Sequence, residues 1–144
     1  MQSSIFGGFS RGVRKKSRRP PEKQLIGSGI DLISVYRVRQ LLARHRRDAL
    51  HRLLTLQEKK QYGRQILSPL QFSKLFAAKE AFFKAFGKAW LGLEGFQKIQ
   101  CTLLPDNGFR AESLLDDQTK TCEGIGHFFR RGALVGAHVS VWKS

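Results

Sequence analysis

Acidic residues are scarce in this chain: 11 Asp and Glu stand against 26 Lys and Arg, a formal charge of +15. A field of that sign draws polyanions, whether nucleic acid, acidic membrane surface, acidic protein or phosphorylated small molecule, and does not by itself choose among them. Cysteine is nearly absent. Cys101 and Cys122 have no CxxC spacing and no histidine-rich surroundings, which argues against a metal–thiolate site and fits a reduced cytosolic pair. No uninterrupted apolar run approaches the roughly 20 residues of a membrane helix, and the weak apolar start lacks the h-region of a secretory signal. These absences predict a soluble, cytoplasmic protein with no membrane partner. Signatures of RNA binding are missing too: no RNP-type run, no KH-type GXXG in a helix-turn context, no zinc-finger spacing.

What is present suffices for one domain with a real core in 144 residues. Residues 1–24 hold seven Lys or Arg and one acid, with too little apolar surface to offset ordering. They read as a basic, disordered extension, a composition that also suits an organelle transit peptide. The folded domain is expected over 25–144. "LIGSGIDLIS" predicts a strand over 25–32 that closes on Gly29-Ile30-Asp31. Val35, Val38, Leu41, Leu42, Ala49, Leu50 and Leu53 then recur at helical spacing among several arginines. Thr55 and Glu58 make a capping box for a short helix. Ser68-Pro69 opens a longer one that stops at Gly87.

Beyond it, "FQKIQCTLL", "PDNG" and "FRAESLL" read as strand, turn and strand. "DDQTKT" reads as a loop. "GALVGAHVSVW" alternates Ala133, Val135, Ala137, Val139 and Val141 as a final strand. Helices first and strands later predict an α+β domain, helices packed on an antiparallel sheet.

The long helix carries an oddity. At 3.6 residues per turn, Phe72, Leu75, Phe76, Phe83 and Phe86 share one stripe, Lys79 sits in its middle, and Ala77, Ala81 and Ala85 line the back. Taken singly, these charges have ordinary explanations. Glu80 and Lys84 form an i,i+4 pair of a kind usually solvated. Lys79 can bury its stem and keep its head in water, and Asp31 is an acid of the sort that caps a helix.

Taken together, "GIDLISVYRVRQLL", "RLLTLQEKKQY" and "FAAKEAFFKAFG" resemble, in order and separation, the holo-[acyl-carrier-protein] synthase group of 4′-phosphopantetheinyl transferases. The resemblance is close over 26–87 and loose beyond. It implies the 4′-phosphopantetheinyl transferase fold and transfer of 4′-phosphopantetheine from coenzyme A to a serine of an apo acyl carrier protein, releasing 3′,5′-ADP. It further implies that Asp31 and Glu80 hold one Mg²⁺, a hard cation satisfied by carboxylates, water and phosphate oxygen. Lys84 would lie on the pyrophosphate, and Lys79 would reach a phosphate or Glu80. Arg37 and Arg44, seven residues apart, would face the acidic helix of the carrier protein.

The group has a Ser-x-Ser-His-like turn before its last strand. Here the stretch is "GIGHFFRRG", so that His127, backbone N–H groups at Gly124 and Gly126, and Arg130 or Arg131 would contact the coenzyme's phosphates. His138 is expected to be structural. A homotrimer with its active site between subunits is the corresponding assembly, and fatty acid biosynthesis is one pathway it would serve. Leu75, where the group commonly has Arg, "KAWLG" after the helix, and Lys98 depart from the pattern. Two competing readings follow: a catalytically inactive relative that still docks a carrier, and a basic polyanion-binding protein whose affinity collapses with salt.

Overall fold

The structure is a computed structural model describing residues 19, 22–62, 67–87, 93–114 and 122–143. The chain begins with β1 (Gln24–Ser34), α1 (Val35–Leu53), α2 (Leu56–Tyr62) and α3 (Pro69–Ala85). After a 3₁₀ turn at Leu93–Lys98 come β2 (Ile99–Leu103), β3 (Gly108–Ser113), β4 (Cys122–Arg131) and β5 (Leu134–Lys143). The strands form one antiparallel sheet in the order β1-β5-β4-β3-β2. This is the α+β architecture expected. Most of the basic extension, the "KAWLG" segment and the "DDQTKT" loop lie outside the described residues.

Local signals account for much of it. Ser68 accepts from Gln71 N at 3.1 Å while Gln71 Oε1 accepts from Ser68 N at 3.0 Å, a reciprocal cap with Pro69 just inside it. Gly87 follows the last turn at φ +65°. Asp106 and Asn107 both take positive φ, 62° and 58°, which turns the chain tightly between β2 and β3. Strand β1 does not close at Asp31 but runs three residues further, and Ser34, not an aspartate, accepts from Arg37 N to cap α1. Ala133 belongs to the β4–β5 turn, and the buried alternation of β5 is Val135, Ala137, Val139, Val141.

The larger correction is β4. The stretch read as a turn with phosphate-binding glycines belongs to a ten-residue strand paired on both sides over residues 123–127, Gly126 opposite Phe109 of β3 and Val139 of β5. Its backbone groups are therefore engaged in the sheet. The glycines serve packing. A Cβ on Gly126 would come within 2.3 Å of the Phe109 ring, and one on Gly124 within 2.9 Å of the Phe82 ring. With two inward positions lacking side chains, the apolar period of the strand disappears from the sequence.

Helix α3 lies across one face of the sheet and is buried on nearly all sides. Its alanine face, expected at the back, meets the sheet. Gly29 of β1 has room only for hydrogen, since a Cβ there would lie 1.8 Å from Ala81 O. This close approach puts the third and fourth turns of α3 beside the middle of β1. The aromatic face packs on the 3₁₀ turn, with Phe76 and Phe96 ring centroids 5.1 Å apart and Phe83 and Phe96 6.2 Å apart.

Candidate active site

Along β1, Gly29 and Asp31 point to the helix side and Ile30 and Leu32 to the other. Asp31 therefore stands two residues from the point of closest contact with α3. Lys84 Nζ donates to Asp31 Oδ1 at 2.6 Å; the carboxylate is mostly buried and the lysine half exposed. Glu80, one turn earlier on α3, shares the same space. Its carboxyl is pushed up to about 7, first by partial burial and then by repulsion from Asp31, with Lys84 opposing. Two carboxylates repelling across a seam, with an ammonium beside them, form a centre that a cation would relieve. Among the described residues no group of three or more His, Cys, Asp or Glu is placed to hold a metal. The pair of carboxylates Asp31 and Glu80 is a donor set that suits Mg²⁺, which takes one or two carboxylates and completes its shell with water and phosphate oxygen.

Lys79 is not part of this centre. Its Nζ is fully buried and donates to Glu58 Oε2 at 2.6 Å, Leu53 O at 2.7 Å and Phe96 O at 3.2 Å. The expected reach to a phosphate or to Glu80 is therefore corrected: the ammonium is spent inside the fold. Burial lowers its pKa and the Glu58 carboxylate opposes that shift. Glu58 also accepts from Thr55 N at 2.9 Å and Cys101 N at 2.7 Å. One lysine thus ties the end of α1, the start of α2, the 3₁₀ turn and, through Glu58, β2 to the residue preceding Glu80. The sequence signalled Glu58 as a cap, which it is, and gave no sign that the cap was buried.

His127 and Arg130 are separated by the strand's alternation. His127 lies on the outer face of the sheet opposite His138, ring centroids 5.4 Å apart. Arg130 pairs with Val135 on the helix side. The two do not converge within one chain, and the proposed phosphate contact they were to share is not formed by it. Cys101 offers no nucleophile, because burial pushes its thiol up to about 12.

Arg37 and Arg44 are both exposed on α1, ahead of a kink at His45 (φ −137°, ψ 36°). Beside them opens a cavity of about 320 Å³ floored by Leu41, Phe72, Phe76 and Phe96 and rimmed by Asp48 and Arg52. Arg46 is committed elsewhere, donating to Leu67 O at 2.6 Å. Sequence periodicity gave the helix but not this opening, which His45 at the kink also lines. On the far side of the sheet, Ile30, Leu32 and Ile125 are each more than half exposed and sit with Phe129 and Leu134 around the two histidines. Among the described residues no helix is long and apolar enough to cross a membrane.

Comparisons with known proteins give the family and the fold. The family model described as 4′-phosphopantetheinyl transferase superfamily matches residues 27–136. A holo-[acyl-carrier-protein] synthase of Laribacter hongkongensis is 45% identical over 64 residues, covering 44% of this chain and 50% of the relative. That of Geobacillus kaustophilus is 42% identical over 80 residues, covering 53% and 60%. The chain's matches thus span roughly half the length of such relatives. In solved structures, the fold is shared with the holo-[acyl-carrier-protein] synthase of Neisseria meningitidis (TM-score 0.66, 23% identity, 82% of this chain and 98% of that one). It is also shared with the Helicobacter pylori synthase in complex with coenzyme A (TM-score 0.60, 23% identity, 79% and 98%).

Proposed function

The chain belongs to the 4′-phosphopantetheinyl transferase superfamily, and on that footing we propose that it transfers 4′-phosphopantetheine from coenzyme A to a serine of an apo acyl carrier protein. The observation that carries the reading is the meeting of Asp31, Glu80 and Lys84 across the β1–α3 seam. In the reaction the serine oxygen bonds to the phosphorus bearing the pantetheine arm. The bond from that phosphorus to the bridging oxygen breaks, and 3′,5′-ADP leaves with the bridging oxygen. Such a step needs charge neutralised on phosphoryl oxygens and the nucleophile held in line more than it needs covalent help.

Asp31 and Glu80 would hold Mg²⁺, which when bound supplies positive charge to the phosphoryl oxygens. Lys84 exchanges its contact with Asp31 for the pyrophosphate, a point charge on a flexible stem. Glu80 stands in the same seam, and its second carboxylate oxygen would be on hand to take the serine proton. Lys79 acts indirectly, fixing the turn from which Glu80 projects.

The carrier would approach α1. Arg37 and Arg44 offer cations to an acidic helix, and the neighbouring apolar cavity accepts a side chain from it. The open sheet face, with exposed Ile30, Leu32 and Ile125, supports self-association, and a homotrimer is the assembly proposed. His127, exposed on that face, would then reach coenzyme A bound by a neighbouring subunit. A cytoplasmic role in acyl chain synthesis goes with this chemistry. The test is intact-mass analysis of an apo acyl carrier protein incubated with the protein, coenzyme A and Mg²⁺. A gain of one phosphopantetheine is expected, and unchanged mass across several carriers rejects the proposal.

A further inference from the structure

We propose that His127 and His138 form a transition-metal site on the outer face of the sheet, built for a divalent ion of the Zn²⁺, Ni²⁺ and Cu²⁺ class and separate from the Asp31–Glu80 centre. The two residues are paired directly across β4 and β5, with ring centroids 5.4 Å apart and ring planes inclined by 61°. Two imidazoles on one tetrahedral Zn²⁺ at the usual Zn–N length have centroids about 5 Å apart. The pair therefore stands near ligating separation before any ion arrives. The terminal torsion of histidine is soft, so a turn about Cβ–Cγ brings one nitrogen of each ring to a shared point without moving the strands.

The sheet fixes both ligands. Strand β5 lies between β1 and β4, and β4 is paired to β3 at the same level, so the row across the sheet reads Ile30, His138, His127, Gly108. Ile30 walls one end of that row, and Gly108 has no side chain to close the other. Next along the same face stand Ile125 and Phe129 of β4, with Ser140 and Gly136 of β5 opposite them. His127 is exposed and His138 half-buried, so an ion can enter from solvent and keep water on its remaining positions. Groups held in place before binding lose less entropy on binding.

This donor set selects the ion. Imidazole nitrogen suits Zn²⁺, Ni²⁺ and Cu²⁺, whereas Mg²⁺ is held by oxygen. Glu123, the carboxylate of β4 on this face, is engaged by Lys23 at 2.6 Å, and Glu112 of β3 lies level with Glu123 rather than with the histidines. Asp31 follows Ile30 in β1 and points to the helix side, so the two centres lie on opposite faces of the sheet. A ring that holds an ion cannot also serve the coenzyme contact proposed for His127. The inference does not depend on the transferase reading.

The experiment titrates the full-length ¹⁵N-labelled protein with Zn²⁺ while Mg²⁺ is kept in large excess, and reads the imidazole nitrogens in long-range ¹H–¹⁵N spectra. Zn²⁺ is expected to shift the ring nitrogens of His127 and His138 together and saturably, leaving those of His45 and His51 in place. His127→Gln and His138→Gln should each weaken Zn²⁺ by about tenfold or more, because the second ligand of a preformed pair acts at high effective concentration. Unchanged thermal midpoints without Zn²⁺ show that both variants are folded. Shifts spread over all four histidines without saturation, binding that ignores His138→Gln, or displacement of Zn²⁺ by the Mg²⁺ excess each overturn the site.

Discussion

Lys79 Nζ and Glu58 Oε2 lie 2.6 Å apart with both side chains wholly out of water. Removing one partner strands a buried charge, so Lys79→Met and Glu58→Gln should each cost about 3–5 kcal/mol of folding stability. The double variant should cost less than the sum, because neither side chain is then left charged and alone. Urea denaturation of the four proteins measures this. Additive losses would mean that the two residues act through their other bonds.

That pair also shows where sequence reading stops. The caps of α3 are local, written in Ser68, Pro69, Gln71 and Gly87, and they could be read directly. So could the alternation of β5, because its inward residues carry side chains. Strand β4 could not, since Gly124 and Gly126 make room for Phe82 and Phe109 by having none. Asp31, Glu80 and Lys84 were legible as a set through the resemblance, and the structure brings them to one seam. The partner of Lys79 was not, because Glu58 lies 21 residues away and its capping role already explained it. Placing His127 with Arg130 failed on parity: three residues apart on a strand is opposite faces.

Glu80 makes the uncomplexed protein sensitive to pH. A carboxyl raised from 4.5 to about 7 binds its proton more tightly in the native state than in the unfolded one. Native stability contributed by this group is therefore intact below 4.5 and falls as pH climbs toward 7. Glu80→Gln should stabilise the metal-free protein by roughly 1–2 kcal/mol near pH 8, after allowing for solvent screening of a half-buried group. The gain should vanish near pH 4. Thermal melts at both pH values check it, and an equal effect at both would assign the change to packing.

Gly29→Ala tests the seam itself. A methyl group 1.8 Å from Ala81 O cannot be accommodated unless α3 lifts from β1. The expected cost is about 2 kcal/mol or more, accompanied by loss of Mg²⁺-dependent activity. Full activity with unchanged stability would show that the site tolerates a wider separation of the two elements.

For the carrier, Arg37→Glu and Arg44→Glu should each raise the KM for an acidic carrier protein about tenfold while leaving kcat within about twofold, because rim charges act mainly on encounter. Added salt should weaken wild-type binding more than that of the double variant. A drop in kcat at unchanged KM would move these arginines from docking to the reaction.

The most direct measurement is the Mg²⁺ dependence of carrier modification by intact mass, for the wild-type protein and for Asp31→Ala and Glu80→Gln, with circular dichroism confirming that each is folded. The account predicts saturable Mg²⁺ activation in the wild type and loss of at least a hundredfold in rate for each folded variant, with chelation abolishing transfer. Transfer that survives chelator, or that persists undiminished without Asp31, would contradict the assignment of the β1–α3 carboxylates as the metal-binding heart of the site.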